Sequence, residues 1–418
     1  MSAPARFDVA VVGAGMVGAA AAALLARAGF SVALIEGREP QPFDAAGDVG
    51  LRVSAVSPGA ADILAEAGAW RLIERTRCCA YRHMAVEDRD EHSVIEFQAA
   101  EFGEDRLGVI VENDLVQWAL WQALQLMAGV EFFCPDTVGE LSLEDGERLL
   151  TLGSGARIRA RLLVAADGAD SRMRRRLGIR QDHWEYGQAG VVGVVATEPP
   201  NPALAWQRFM DGGPLAFLPL ADGRSSIVWS RPEAEAQRLL ALDDDAFLAE
   251  LGDAAAGGPG HWPGVPRSCG PRAAFPLTMR LSERYAAPAA VLVGDAAHVV
   301  HPLAGQGVNL GLLDAAGLVE ILIEARRSGA GPGAPRMLEK YDRWRRSEAE
   351  VMCRGVHGLR GLFLPDELGP LRRLGLGLVA RSWVARETFI RRATGRNRNA
   401  PALARGVGLN RLLHPEAG

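Results

Sequence analysis

The chain is 418 residues long, more than one ordinary compact core accommodates, so two or three structural units are expected. Its 48% hydrophobic and 23% charged residues exclude disordered and fibrous classes, and a net charge of -5 gives no reason to invoke nucleic acid. Five scattered cysteines (Cys78, Cys79, Cys134, Cys269, Cys353) contain no Cys-x-x-Cys pair, so free thiols are expected, with no disulfide framework and no metal site.

Residues 8 to 36 read as strand, tight turn, helix and strand: DVAVV, then GAGMVG, then AAAAALLARAG, then SVALIE. The opening run, Asp8 to Val12, has no basic leader, and no window reaches the roughly 18 apolar residues of a membrane span, so a cytoplasmic protein without a signal peptide is expected. From Cys78 to Phe97, and again from Tyr186 to Ser230, β-rich stretches broken by polar turns predict hairpins of a second sheet inserted into the first domain. The Gly/Pro-rich stretch Ala254 to Arg272 is expected to return the chain to the nucleotide domain before the strand AAVLVGD. Beyond Leu338 the sequence is helical and Arg-rich. The expected partition is 1–75, 101–183 and 275–345 for a nucleotide-binding domain, 76–100 and 184–274 for the second sheet, and 346–418 for the helical end.

In G-x-G-x-x-G, here Gly13, Gly15 and Gly18, the first glycine permits the turn, the second lets backbone approach a pyrophosphate, and the third allows close helix–strand packing. The phosphates then meet the helix N-terminus, where free N–H groups and the dipole favour negative charge. Glu36 closes the next strand where such folds place an acid for a ribose 2′-hydroxyl, which selects FAD or NAD over NADP. Two further motifs discriminate between these. LLVAADGADSRMRRRLGI puts Asp167-Gly168 at a strand end, and VLVGDAAHVVHPLAGQGVNLG puts Gly294-Asp295 at another. Ligands bind beyond the carboxyl ends of such strands, so Asp295 is placed to accept hydrogen bonds from a polyol, which FAD has as ribitol and NAD lacks. The loop Pro302, Leu303, Ala304, Gly305, Gln306, Gly307, Val308, Asn309 precedes a helix starting near Leu310, so its N–H groups can face the electron-accepting edge of a flavin.

The three motifs in this order resemble the aromatic-ring hydroxylases of the para-hydroxybenzoate hydroxylase class. Within it, GVIVEND, GPLAFLPL with IVWS, VVHPLAGQGVNLGLLDAAGL and EKYDRWRRSEAEVM are similar to the UbiH/UbiF/VisC group of ubiquinone-biosynthesis hydroxylases, over nearly the whole chain. The resemblance implies an α/β fold: a Rossmann-like FAD-binding domain of the GR2 type, an interleaved β-sheet substrate domain and a C-terminal helical segment. It also implies a two-part reaction, in which NAD(P)H reduces FAD and O2 then forms a flavin C4a-hydroperoxide that hydroxylates an electron-rich phenol or quinol ring. The nicotinamide donor is expected to bind transiently, because GSG at Gly153 and GGPG at Gly257 lie in turn-like contexts.

Residue by residue, Arg52 matches the family's arginine near the flavin, against the alternative of a surface arginine. Asn113 matches a position that touches FAD, or serves as a helix N-cap. Asp167 and Arg174 resemble the acid and base of the second motif, credited with FAD and NAD(P)H binding, or form a structural ion pair. His298 and His301 are candidates for a general base, set against a structural role in the flavin loop. The rest of the basic run from Arg172 to Arg176 wraps around its helix and reads as a solvated face.

From Leu371 to Leu413 there are ten arginines and one acid, Glu387, among apolar residues. Such a segment either packs on the flavin domain or rests on anionic lipid, or docks another ubiquinone-biosynthesis protein, the membrane-surface reading suiting a polyprenyl phenol or quinol substrate. The competing readings are a flavin monooxygenase of a soluble phenolic or polyketide metabolite, and a non-catalytic FAD-binding subunit of a lipid-biosynthesis complex. An NAD-dependent dehydrogenase is opposed by the Gly294-Asp295 motif.

Overall fold

The computed structural model describes residues 4–88, 94–256, 264–300, 307–363 and 382–415. The predicted opening unit is present as the strand Ala5–Val12, the helix Met16–Arg27 and the strand Val32–Ile35. Ala5–Val12 pairs in parallel with Val32–Ile35 on one side and Arg157–Ala165 on the other, and the sheet continues in parallel to Val130–Phe133 and Ala290–Leu292. Helices cover this sheet, so its strands are continuous apolar runs such as Val9 to Val12 rather than alternating ones. The helix Met16–Arg27 is built of small residues and packs against Asn113–Gln125 and Gly307–Arg327.

A second, eight-stranded sheet runs in the order His298–Val299, Val265–Ser282, Gln181–Glu198, Ser225–Pro232, Leu215–Pro219, Leu204–Arg208, His83–Glu87, Val94–Gln98. Its side chains alternate faces. Val191, Val195, Ile227 and Trp229 point to the helices Glu233–Ala241 and Asp244–Ala255, where Leu239, Phe247 and Leu251 complete a core. Val192, Ser226 and Val228 point the other way and line a cavity against the first domain.

Two expectations change. The stretch from Cys78 to Phe97 is divided: Cys79–Tyr81 joins Val53–Val56 and Gly108–Glu112 in a small antiparallel sheet, and only His83–Glu87 and Val94–Gln98 enter the second sheet. Much of the Gly/Pro-rich stretch is strand, since Val265–Ser282 pairs along its length with Gln181–Glu198. Its prolines are compatible with this because the strand's other edge is paired, among the described residues, only at Arg280 and Leu281. The second sheet therefore extends to 282, past the expected boundary at 274.

At the C-terminal end, residues 371–381 lie outside the described residues. The helix Trp383–Ala393 and the turns after it lie on the body: Arg386 pairs with Glu101 at 2.5 Å, Arg396 pairs with Glu104 at 2.7 Å and Asp62 at 2.8 Å, and Ile390 and Leu403 are buried.

Candidate active site

The glycine turn is held by local sterics. Gly13 takes φ +103, and a Cβ there would overlap the Ala166 carbonyl; one on Gly18 would overlap the Gly13 carbonyl. A Cβ on Gly15 would meet nothing, because Gly15 faces the cavity. The helix begins at Met16 with no side-chain cap and no acidic residue in its first turn, leaving its N–H groups and dipole available to an anion. The Glu36 carboxylate accepts the Ala14 N–H at 2.6 Å and the Arg38 N–H at 3.0 Å. Gln117, which sequence reasoning missed, donates to the Ala14 carbonyl at 3.0 Å; its signal was a polar residue one turn after Asn113.

Arg52, Ser54 and Asn113 line the cavity together. The Asn113 N–H donates to the Arg52 carbonyl at 3.0 Å, and the Ser54 hydroxyl donates to Asn113 Oδ1 at 2.6 Å. Asn113 is thus the first helical residue and not the cap, which is Glu112. Glu112 is bound by Arg77 at 2.7 Å and by the Gly50 N–H at 2.7 Å, which fixes the approach to Arg52. The Arg52 guanidinium lies 5.5 Å from the Phe275 ring centre.

Asp167 accepts the Ser171 hydroxyl and, at 3.0 Å, the Met173 N–H, capping the short helix Arg172–Arg176. Arg174 is buried and donates to the carbonyls of Ala169 at 3.1 Å and Ala296 at 3.2 Å, tying the second motif to the third. Arg172, Arg175 and Arg176 are exposed.

Asp295 faces the cavity from the turn after Ala290–Leu292. Its side chain is exposed to the cavity, and desolvation by the surrounding walls raises its carboxyl above the ordinary range, opposed by the nearby His298, Arg52 and Arg280. His298 is buried with Nε2 at 2.6 Å from Asp314, and it does not line the cavity. Gly307 and Val308 do line it. Asn309 turns into the protein, donating to the Ala55 carbonyl at 2.8 Å and accepting the Ser57 N–H at 2.9 Å. His301, Pro302, Gly305 and Gln306 lie outside the described residues. Asp314 and Arg345 were missed; the signal was a carboxylate inside the otherwise apolar helical run NLGLLDAAGLV.

The cavity holds about 500 Å³ and joins two kinds of wall. One end carries the Gly15 turn, Asp295 and the start of Gly307–Arg327; the other is Gly190, Val192, Val228, Phe275 and Leu277 of the second sheet. These residues fit FAD. The bare glycine face and helix N-terminus suit a pyrophosphate, Glu36 a ribose, and Asp295 a polyol. No group of His, Cys, Asp and Glu suited to a metal ion occurs among the described residues.

Comparison with known proteins agrees. The FAD binding domain family matches residues 6–355. The chain is 37% identical over 396 residues to the 3-demethoxyubiquinol 3-hydroxylase of Escherichia coli (strain K12), covering 93% of this chain and 98% of that protein. It is 36% identical over 408 residues to the ubiquinone hydroxylase UbiL of Rhodospirillum rubrum, covering 96% and 93%. Its fold superposes on the p-nitrophenol 4-monooxygenase of Pseudomonas putida with a TM-score of 0.73 at 20% identity, covering 95% of this chain and 100% of that one. The chain is an FAD-dependent monooxygenase and belongs to the FAD-binding family that includes the hydroxylases of ubiquinone biosynthesis.

Proposed function

We propose that the protein hydroxylates the ring of a polyprenylated phenol or benzoquinol in ubiquinone biosynthesis. The observation that carries this reading is the two-ended cavity: cofactor motifs at one end open directly onto an apolar pleated face at the other. The balanced reaction takes a ring C–H, O2, NAD(P)H and a proton to a ring C–OH, water and NAD(P)+. Flavin, when bound, supplies the oxygen activation.

The chain's own residues bind and orient. Gly15, bare toward the cavity, and the Met16 helix terminus would receive the pyrophosphate, with Gly13 and Gly18 holding the turn; Glu36 would take the ribose and Asp295 the ribitol. Arg52, Asn113, Gly307 and Val308, which line the same cavity, would hold the flavin ring. Arg174 supports this from behind through the Ala169 and Ala296 carbonyls, and Asp167 holds the start of its helix through Ser171 and the Met173 N–H. Val192, Val228, Phe275 and Leu277 exclude water from the ring to be hydroxylated, which protects the reactive oxygen from loss as peroxide. A substrate that partitions into lipid places the enzyme peripherally at a membrane surface. No helix among the described residues is long and apolar enough to cross one.

Purified, FAD-loaded protein tests this by NADH and NADPH oxidation with a short-chain prenylated phenol and, separately, its unprenylated parent. Faster oxidation with hydroxylated product from the prenylated ring is expected. Preference for the unprenylated phenol would instead assign a soluble aromatic substrate.

A further inference from the structure

Three segments far apart in the chain converge behind the Gly294-Asp295 turn. Asp314, on the helix Gly307–Arg327, accepts the Gly294 N–H at 3.1 Å and meets His298 Nε2 at 2.6 Å through the same oxygen. Its other oxygen accepts Arg345 Nε–H at 2.9 Å. The three side chains are at most 1% exposed. Because His298 Nε2 faces a carboxylate, it is the nitrogen that carries the proton; Nδ1 has no partner among the described residues. A carboxylate this deep persists only when paired and hydrogen-bonded, and Arg345 is its counter-charge.

Packing determines what that carboxylate holds. Gly311, one turn before Asp314, has no room for a side chain: a Cβ would come within 2.6 Å of Val17 Cγ2 and 3.1 Å of Gly294 Cα. Gly294, at φ +59, also sits against Val17, which lines the cavity from the first turn of the phosphate-binding helix. One helix thus presses on both the turn that carries Asp295 and the helix behind the glycine loop.

We propose that Asp314 is a positioning residue for the cofactor: through the Gly294 N–H and His298 it fixes the turn that aims Asp295 into the cavity. Asp314 itself does not line the cavity. This role concerns the cofactor end alone and stands whether or not a prenylated ring is the substrate.

The test compares FAD titration of the apoprotein with the melting temperature of the same preparation. Asp314→Asn leaves one neutral carbonyl oxygen for three donors, whereas Arg345→Met removes the counter-charge at Oδ1 but leaves the oxygen that faces the Gly294 N–H and His298 Nε2. Both variants lower the melting temperature. FAD affinity falls roughly tenfold or more in Asp314→Asn, the scale of a lost charge-assisted hydrogen bond, and stays near that of the unmodified protein in Arg345→Met. Parallel losses of stability and FAD affinity in both variants would overturn the assignment. Should Asp314→Asn not fold, the double variant Asp314→Asn/Arg345→Met, which leaves no unpaired buried cation, is measured instead. Weak FAD binding in the double variant supports the positioning role, and unmodified affinity overturns it.

Discussion

The Glu36 carboxylate accepts the Ala14 N–H at 2.6 Å, so the acid that closes the second strand is also a strut of the glycine turn. A carboxylate oxygen has more than one lone pair, and bracing the turn leaves acceptor capacity for a ribose hydroxyl. Glu36→Gln keeps the shape and removes the charge. FAD binding measured by titration is expected to weaken by about 1 to 3 kcal/mol, with a smaller loss of apoprotein stability because Gln offers one acceptor to the Ala14 and Arg38 N–H groups. Unchanged binding would remove Glu36 from the cofactor site.

Asp295 carries an opposite signature in stability and in binding. Though exposed to the cavity, its carboxyl is raised above the ordinary value of 3.8 by desolvation from the surrounding walls. A carboxyl raised in the folded state contributes stability below its unfolded value and loses it as the pH rises through its folded one. At neutral pH the ionised Asp295 therefore weighs against the folded apoprotein. Asp295→Asn is expected to raise the apoprotein melting temperature near neutrality, a gain that shrinks as the pH falls toward the ordinary carboxylate range. The same variant holds FAD less tightly, by roughly 1.5 to 3 kcal/mol. A melting temperature that falls at neutral pH would contradict this account.

Gly190 sets the depth of the substrate wall. A Cβ there would meet Leu277 at 3.4 Å and Val228 at 3.7 Å, ordinary contacts, so Gly190→Ala is tolerated. A larger side chain must grow into the cavity. Gly190→Leu is expected to raise KM for the aromatic substrate by roughly tenfold or more, the scale of 1 to 3 kcal/mol for an overfilled site, while FAD affinity stays constant. Steady-state kinetics beside FAD titration separates the two effects.

Away from the cavity, Glu87 and Arg208 form a buried pair at 2.6 Å, with Glu87 also accepting the Trp206 indole N–H at 2.9 Å. Arg208 reaches on to the carbonyls of Ala255 and Ala256 at the end of the helix Asp244–Ala255. Glu87→Gln leaves a guanidinium buried without its counter-charge and is expected to cost about 3 to 5 kcal/mol in chemical denaturation, with FAD affinity unaltered.

The parts legible in the sequence are those that local chemistry dictates. Gly13 at positive φ, the apolar run of Val9 to Val12 and the Gly294-Asp295 turn at a strand end announce themselves within a few residues. The parts missed are assembled over distance. His83–Glu87 pairs in parallel with Leu204–Arg208, more than a hundred residues away, and nothing in either segment names the other. Pro266 and Pro271 suggested a connection and instead lie in a strand whose outer edge is largely unpaired among the described residues. The second motif marks Arg174 in the sequence, but its burial rests in part on the Ala296 carbonyl that the third motif brings to it. The partnership of Asp314 with His298 and Arg345 likewise exists only once three separate segments have packed.

As a monooxygenase, this chain couples nicotinamide oxidation to insertion of one oxygen atom into an aromatic ring. The direct measurement is turnover of FAD-loaded protein with NAD(P)H, a short-chain prenylated phenol and isotopically labelled O2, following consumed reductant, hydrogen peroxide and product mass together. One labelled oxygen per product molecule, equal amounts of product and oxidised nicotinamide, and little peroxide are expected. Oxidation that yields peroxide alone, or product carrying oxygen from water, would contradict it.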